Sequence, residues 1–380
     1  MQYNPKNLIK VTPITEALIG FSLGIFLLIG RWTPGRLFKN FSGDFLYQPR
    51  LWLGIIIIYL CLSVIILHGK IKFSDRNWPS KSFTIYYAAT IYIFFLYMLS
   101  TTMWAVDYEL ALQKAFEVAL AFSVTITIYI TTLFIKNELL KDYFWLSIFL
   151  FSIFFGFIAI QGADETSRTQ ALGGGPNVFG RNMGLFVFSC LYFIQKNLNK
   201  YIGFIFIFFG IILTIASGSR GAMLSLLIGG LAYFLIKRKK LIQLLKITSV
   251  LIIGSALCYA TLSTTAIGQK VTKVIEERII YLTIEEQYDS SRTTFYESAL
   301  ELGYDAPLLG SGLSAFKATG RCVYPHNIFL EIFTEGGLVG LALLLLSLIL
   351  FFIYLIRYND LLDAATVSST IMILVATQVS

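Results

Sequence analysis

Three basic side chains, two of them beside glycine and one beside proline, occupy positions from which they could act on a phosphate-linked substrate. Arg181 follows Gly-Gly-Gly-Pro-Asn-Val-Phe-Gly, Arg220 lies in Ser217-Gly218-Ser219-Arg220-Gly221, and His326 lies in Pro325-His326-Asn327. Guanidinium forks grip phosphate oxygens bidentately and stay charged at any working pH. Two of them could hold a diphosphate and stabilise the charge it gains as it leaves. A neutral imidazole could take the proton of an attacking sugar hydroxyl. Arginines doing that electrostatic work would make a divalent metal unnecessary, and no cofactor is called for. Plainer readings stand beside these. An arginine at a helix end also binds lipid phosphate, and Pro-His-Asn is also a helix start. The second histidine, His68, closes an apolar run and reads as interfacial. A metal alternative would use Asp107-Tyr108-Glu109 or Asp164-Glu165, but acids are common just before helices and in polar loops.

The elements that must position these groups are membrane helices. Of 380 residues, 56% are hydrophobic, 16% aromatic and 14% charged, and the mean hydropathy is +0.73. Ordinary soluble domains carry about 25% charged residues. The composition excludes a cytosolic enzyme, a disordered protein and a secreted disulfide scaffold, and it predicts an all-α polytopic membrane protein. Eleven apolar segments are expected, at 11–30, 51–68, 83–105, 114–135, 143–161, 182–195, 201–217, 221–236, 246–265, 338–356 and 364–380. The first is followed by Arg31-Trp32-Thr33-Pro34 rather than a cleavage site, so it reads as a retained helix. Cys61, Cys190 and Cys258 lie in apolar runs and Cys322 in a polar one, without metal or disulfide spacing. Glu16 and Glu117 are the only acids inside these segments, with Glu331 and Glu335 just before the tenth.

Placing the N-terminus inside puts sixteen of the thirty basic residues in inner segments, against eight in short outer ones. The remaining six fall in one long outer loop. Arg31, Arg36, Lys39 and Arg50 run against the rule. They read either as snorkelling groups on an interfacial segment or as a basic lip attracting an anionic lipid substrate. The last segment ends without a charged tail, which leads us to expect a truncation or a missing final helix after Ser380. The organisation is then transmembrane helices 1–9 over 1–265, a large outer loop over 266–337, and helices 10–11 over 338–380. Within the loop we expect a helix around Val271–Leu282. A second is expected from Arg292 to Leu302, capped by Ser290-Ser291 and ended by Gly303. Pro307, Gly310 and Gly312 make a turn-rich stretch, and Ile328–Phe333 is amphipathic or re-entrant. A loop of this length reads as a lid or substrate platform.

The ordered set Ser219-Arg220-Gly221-Ala222, Ser291-Arg292…Pro307-Leu308-Leu309-Gly310-Ser311-Gly312 and Pro325-His326-Asn327-Ile328-Phe329-Leu330…Glu335-Gly336-Gly337 resembles the bacterial O-antigen ligase and O-antigen polymerase superfamily. Gly174-Gly175-Pro176-Asn177 is similar to the stretch preceding a span there. The resemblance covers roughly residues 165–340 and implies an inverting, metal-independent glycosyltransferase of the bacterial inner membrane acting at the periplasmic face. The implied donor is a glycan on undecaprenyl diphosphate, and the acceptor is lipid A–core or a second lipid-linked repeat. On that likeness Arg220, and by position Arg181, contact the donor diphosphate, and His326 is the base or acceptor-orienting residue. Arg292 helps bind donor or acceptor, and Asn327 and Glu335 support the site. Membrane lipids are partners and nucleic acid is not.

Ligase and polymerase share donor and motifs. The outer arginines, which could meet phosphorylated core sugars, tilt the reading to the ligase. A transporter or flippase of lipid-linked sugars would keep ionisable groups at mid-depth, and the charge-poor spans argue against it. A structural membrane protein is the remaining alternative.

Overall fold

The structure is a computed structural model, and it describes residues 13–29, 48–68, 81–132, 135, 138–161, 175–237, 292–322, 324–357 and 363–379. The ninth expected span, the helix at 271–282 and the Ser290-Ser291 cap lie outside these residues, as do Asp164-Glu165 and Arg31, Arg36 and Lys39. Among the described residues the fold is all-α. The helices are α1 (Pro13–Leu28), α2 (Pro49–His68), α3 (Lys81–Ser100), α4 (Tyr108–Thr132), α5 (Glu138–Gln161), α6 (Gly175–Gln195), α7 (Lys200–Ala216) and α8 (Arg220–Ile236). After them come α9 (Arg292–Asp305), the single turn α10 (Ala315–Ala318), α11 (Ile328–Arg357) and α12 (Ala364–Val379). A 3-10 turn, Thr101–Trp104, follows α3. Among the described residues six helices, α2 to α6 and α11, are long and apolar enough to cross a membrane, as a polytopic membrane protein requires.

The helices α2 to α8 start earlier than hydropathy predicts, whereas α1 does not. Proline opens α1 and α2, and Pro176 follows Gly175 at the start of α6. In a first turn its missing N–H has no intrahelical partner to lose, so proline fits there. Thus α6 begins at Gly175 rather than 182, and Arg181 lies in its second turn. Polar capping similarly starts α4 at Tyr108 rather than 114: Asp107 Oδ1 accepts from the Leu110 amide at 3.0 Å. That bond gives Asp107 a structural task.

The chain forms two compact units. The first comprises α1, α2, the part of α4 from Leu120 and α5 up to Phe154. Its core joins Ile19, Phe26, Ile57, Cys61, Val64, Val124, Ile135 and Leu140. Gly20 and Gly24 let α1 approach α5 closely: side chains there would meet the Leu140 carbonyl and Ser147. This is small-residue packing of the kind membrane helices use in place of a hydrophobic drive. Arg50 sits 5.0 Å from the Phe26 ring centroid, so this basic residue stacks on α1.

The second unit holds α3, the start of α4, the end of α5 and α6 to α12. α6 is the most buried of the candidate spans. Gly210 of α7 lies against Phe186 and Val187 of α6, and Met372 of α12 fills the space left by Gly184 and Gly229. Elsewhere in this unit, Met98, Ala111, Leu313 and Ile332 form a separate core that brings α3, α4, the 310s turn and α11 together.

Candidate functional site

The Arg220 turn is fixed by three short-range bonds. Ser217 Oγ donates to the Thr214 carbonyl (2.6 Å) and accepts from the Ser219 amide (3.2 Å). Ser219 Oγ accepts from the Ala222 amide (3.2 Å) and caps α8. Gly218 supplies the left-handed backbone (φ +62°) that reverses the chain. Arg220 is therefore the first residue of α8, and it is exposed. α6 passes directly against this turn. A Cβ on Gly180 would lie 2.6 Å from Ser217 Oγ and 2.8 Å from Ala222 Cβ, so only glycine fits. The residue before Arg181 thus touches the residues flanking Arg220. Arg181 itself is half-buried.

His326 belongs to a second group in the same unit. Its backbone is left-handed (φ +59°), a conformation that is strained for a side chain of this size. Its ring stacks on Phe295 of α9 (centroids 6.2 Å apart, planes at 27°) and lies 4.6 Å from the Tyr324 ring. Arg292 opens α9 one turn before Phe295, which puts its backbone on the helix face that meets His326. Arg321 donates to Ser298 Oγ, one turn after Phe295. Asn327 caps α11, its Oδ1 accepting from the amides of Phe329 (2.9 Å) and Leu330 (3.2 Å). The helix-start reading of Pro-His-Asn and the presentation of His326 are therefore one device.

α11 is broken at Gly337 (φ 61°, ψ −160°), which leaves a short stub, Ile328–Gly336, ahead of the long span. A continuous helix would bond the Leu338 and Val339 amides to the Thr334 and Glu335 carbonyls. Here the 307–312 stretch takes both sides of those bonds. Leu338 and Val339 donate to the carbonyls of Pro307 (2.8 Å) and Leu308 (3.2 Å), while Ser311 and Gly312 donate to the carbonyls of Thr334 (2.8 Å) and Glu335 (3.0 Å). The four backbone groups that the break takes out of the 338–334 and 339–335 pairs all find partners. Gly310 (φ +72°) lies so close that a Cβ would fall 2.5 Å from the Glu335 carbonyl and the Gly336 amide. Tyr97 and Trp104 complete the lock, donating to the carbonyls of Gly336 (2.8 Å) and Gly310 (3.1 Å).

Inside this junction Lys114 of α4 meets two carboxylates of the stub. Its Nζ lies 2.7 and 2.8 Å from the two oxygens of Glu335 and also donates to Glu331. Glu335 is 2% exposed, and its Oε1 accepts a further bond from the Ser314 amide (2.9 Å). Ser314 is left-handed (φ 62°), and its hydroxyl donates to the Leu110 carbonyl (3.0 Å).

Of the sequence-predicted residues, the structure groups Arg181 with Arg220, and His326 with Asn327 and the start of α9. Glu335 lies in the buried junction behind the His326 stub. Lys114 was not among the expected site residues. Hydropathy starts the fourth span at 114, whereas the helix begins at Tyr108 and carries Lys114 into its second turn. The available signal was a lysine within helical reach of the span's start, together with Glu331 and Glu335 spaced four apart on one face. Gly303 was expected to end α9. The helix instead runs to Asp305, and Gly303 faces Phe333, whose ring a Cβ would meet at 2.3 Å.

Residues 204–345 match the family described as O-antigen ligase. That stretch contains Arg220, Arg292, the 307–312 turn, His326, Asn327 and Glu335. Arg181 and Lys114 lie before it. No curated protein matches the chain.

Proposed function

From the place in the O-antigen ligase superfamily that this match supports, we propose that the protein is a ligase-type glycosyltransferase. It moves a glycan from undecaprenyl diphosphate to an acceptor sugar, lipid A–core, at the periplasmic face of the bacterial inner membrane. The single observation carrying the reading is that the matched stretch holds Arg220, Arg292 and His326 together with the break that presents His326. The acceptor hydroxyl oxygen attacks the anomeric carbon from the face opposite the leaving group, so configuration inverts. The bond from that carbon to the phosphate oxygen breaks, and undecaprenyl diphosphate leaves with the electron pair. Arg220 and Arg181 bind the diphosphate and stabilise its growing charge, which replaces a metal ion. His326 takes the hydroxyl proton, and Arg292 holds donor or acceptor beside it. Asn327 and Glu335 support the site through the α11 stub. A polymerase joining two lipid-linked repeats is the second reading, favoured by the same motifs and donor.

The test is transfer by purified protein from a polyprenyl-diphosphate glycan in EDTA, with and without lipid A–core. Glycan on the core is expected. Chain growth without core assigns the polymerase instead, and no turnover in either mixture removes the enzyme reading. Arg220→Ala and His326→Ala are each expected to abolish transfer in folded protein. Transfer at wild-type rates in both would overturn the site assignment.

A further inference from the structure

We infer that Lys114 is a positioning residue for His326, acting as a clamp on the hinged stub that carries it. The inference rests on the proposed role of His326. It starts from the break at Gly337, which uncouples Ile328–Gly336 from the long span. A stub of nine residues on such a hinge keeps one direction only if it is held from outside. The 307–312 stretch holds its C-terminal end through backbone bonds to Thr334 and Glu335. These bonds lie next to the hinge and constrain the far end of the stub poorly. Lys114 reaches further along it. Its ammonium bonds Glu335 and, one turn nearer His326, Glu331. Asn327 caps the turn that follows, its carbonyl accepting from the Glu331 amide at 3.0 Å. A chain of bonds therefore runs from Lys114 through Glu331 to Asn327, the residue adjoining His326. At its other end, Glu335 ties the clamp to Ser314, and Ser314 in turn bonds back to Leu110 on the same helix as Lys114.

A basic residue is needed at this point. Two carboxylates on one helix side share this ammonium, and Glu335 is out of water, so an uncharged side chain at 114 would remove the bonds that tie both of them to α4. Loss of those bonds frees the stub to swing about Gly337. His326, already held in a left-handed conformation against Phe295 and Tyr324, moves with it. A displacement of about 1 Å of a reacting group costs on the order of 10²-fold in rate.

The chain contains two histidines, which allows a direct readout. Full-length protein labelled with 13C-histidine in lipid nanodiscs gives two imidazole signals, and His68→Asn assigns the remaining one to His326. Lys114→Met is expected to shift or broaden the His326 signal and to lower kcat about 10²-fold, with donor KM within about twofold of wild type. Lys114→Arg is expected to restore both. Glu331→Gln, which leaves the buried Glu335 pair intact, is expected to move the same signal in protein that folds normally. A His326 signal unchanged in both Lys114→Met and Glu331→Gln overturns the inference. So does a loss confined to the amount of folded protein. Absence of transfer by the wild type would sink the catalytic reading while leaving the spectroscopic result to stand or fall alone.

Discussion

Glu335 is nearly sealed from water, yet it accepts bonds from the Lys114 ammonium and the Ser314 amide. Glu331, at 24% side-chain exposure, shares the same lysine. Removing one partner of a buried pair strands the other, at a cost of about 3–5 kcal/mol, whereas a partly solvated pair contributes about 1 kcal/mol or less. We therefore expect Glu335→Ala to unfold at markedly lower SDS than wild type, followed by loss of helical circular dichroism, and Glu331→Gln to unfold close to it. Equal shifts would mean that the two carboxylates share the lysine's charge evenly. At the other group, Arg220 is held at the first position of α8 by the Ser217–Ser219 turn. Lysine there keeps the charge and loses the fork that bridges two phosphate oxygens. Arg220→Lys is expected to lower kcat/KM about 10²-fold, read with a saturating acceptor and varied donor. Arg220 was legible in the sequence because its turn is local. Lys114 was not, because its meaning comes from Glu331 and Glu335, more than two hundred residues away in the chain.

Among the described residues the spans followed from hydropathy, and their starts did not, since Pro176 and Asp107 act through backbone satisfaction that an apolar average ignores. The break in α11 was half legible. Gly336-Gly337 and the 307–312 turn were each visible as glycine-rich, but their mutual exchange of four backbone bonds is a tertiary fact. That exchange leaves no room for side chains. Gly312 has φ +85°, and a Cβ there would fall 2.5 Å from Ala105 Cα, whereas Gly320 has φ +73° and open space around it. Gly320→Ala should thus cost only the left-handed backbone penalty, about 1–2 kcal/mol, and Gly312→Ala clearly more, measured by the same SDS titration. Within α8 the neighbouring glycines separate in the same way. A Cβ on Gly229 meets Met372 at 2.8 Å and Phe188 at 2.9 Å, while one on Gly230 meets nothing within 4 Å. Gly230→Ala should stabilise the protein by about 0.5–1 kcal/mol through helix propensity. Gly229→Ala should destabilise it by pushing α12 away from α8. Destabilisation by both would mean that lipid or another segment occupies the Gly230 face.

At the scale of the molecule, the chemistry depends on which membrane face the two groups share, and the charge bias assigns that face before any contact does. α7 and α8 have 17 residues each, about 25 Å of helix, against a hydrocarbon core of about 30 Å. Their connecting turn is thus drawn towards the acyl–headgroup boundary. That is the depth at which a polyprenyl diphosphate carries its phosphates, and the proposed donor role of Arg220 requires it there, at a helix start whose dipole also favours an anion. An inner N-terminus, as the charge bias predicts, turns that connection to the periplasm. It places Val106, between α3 and α4, on the same outer side, and Lys200, the first residue of α7, on the inner side. Both residues are exposed. With the four native cysteines replaced, Val106→Cys in intact spheroplasts should react with a membrane-impermeant maleimide. Lys200→Cys should react only after permeabilisation. The reverse pattern would put Arg220 in the cytoplasm with the positive-inside bias against it, and would make a donor carried on the outer leaflet inaccessible to either group.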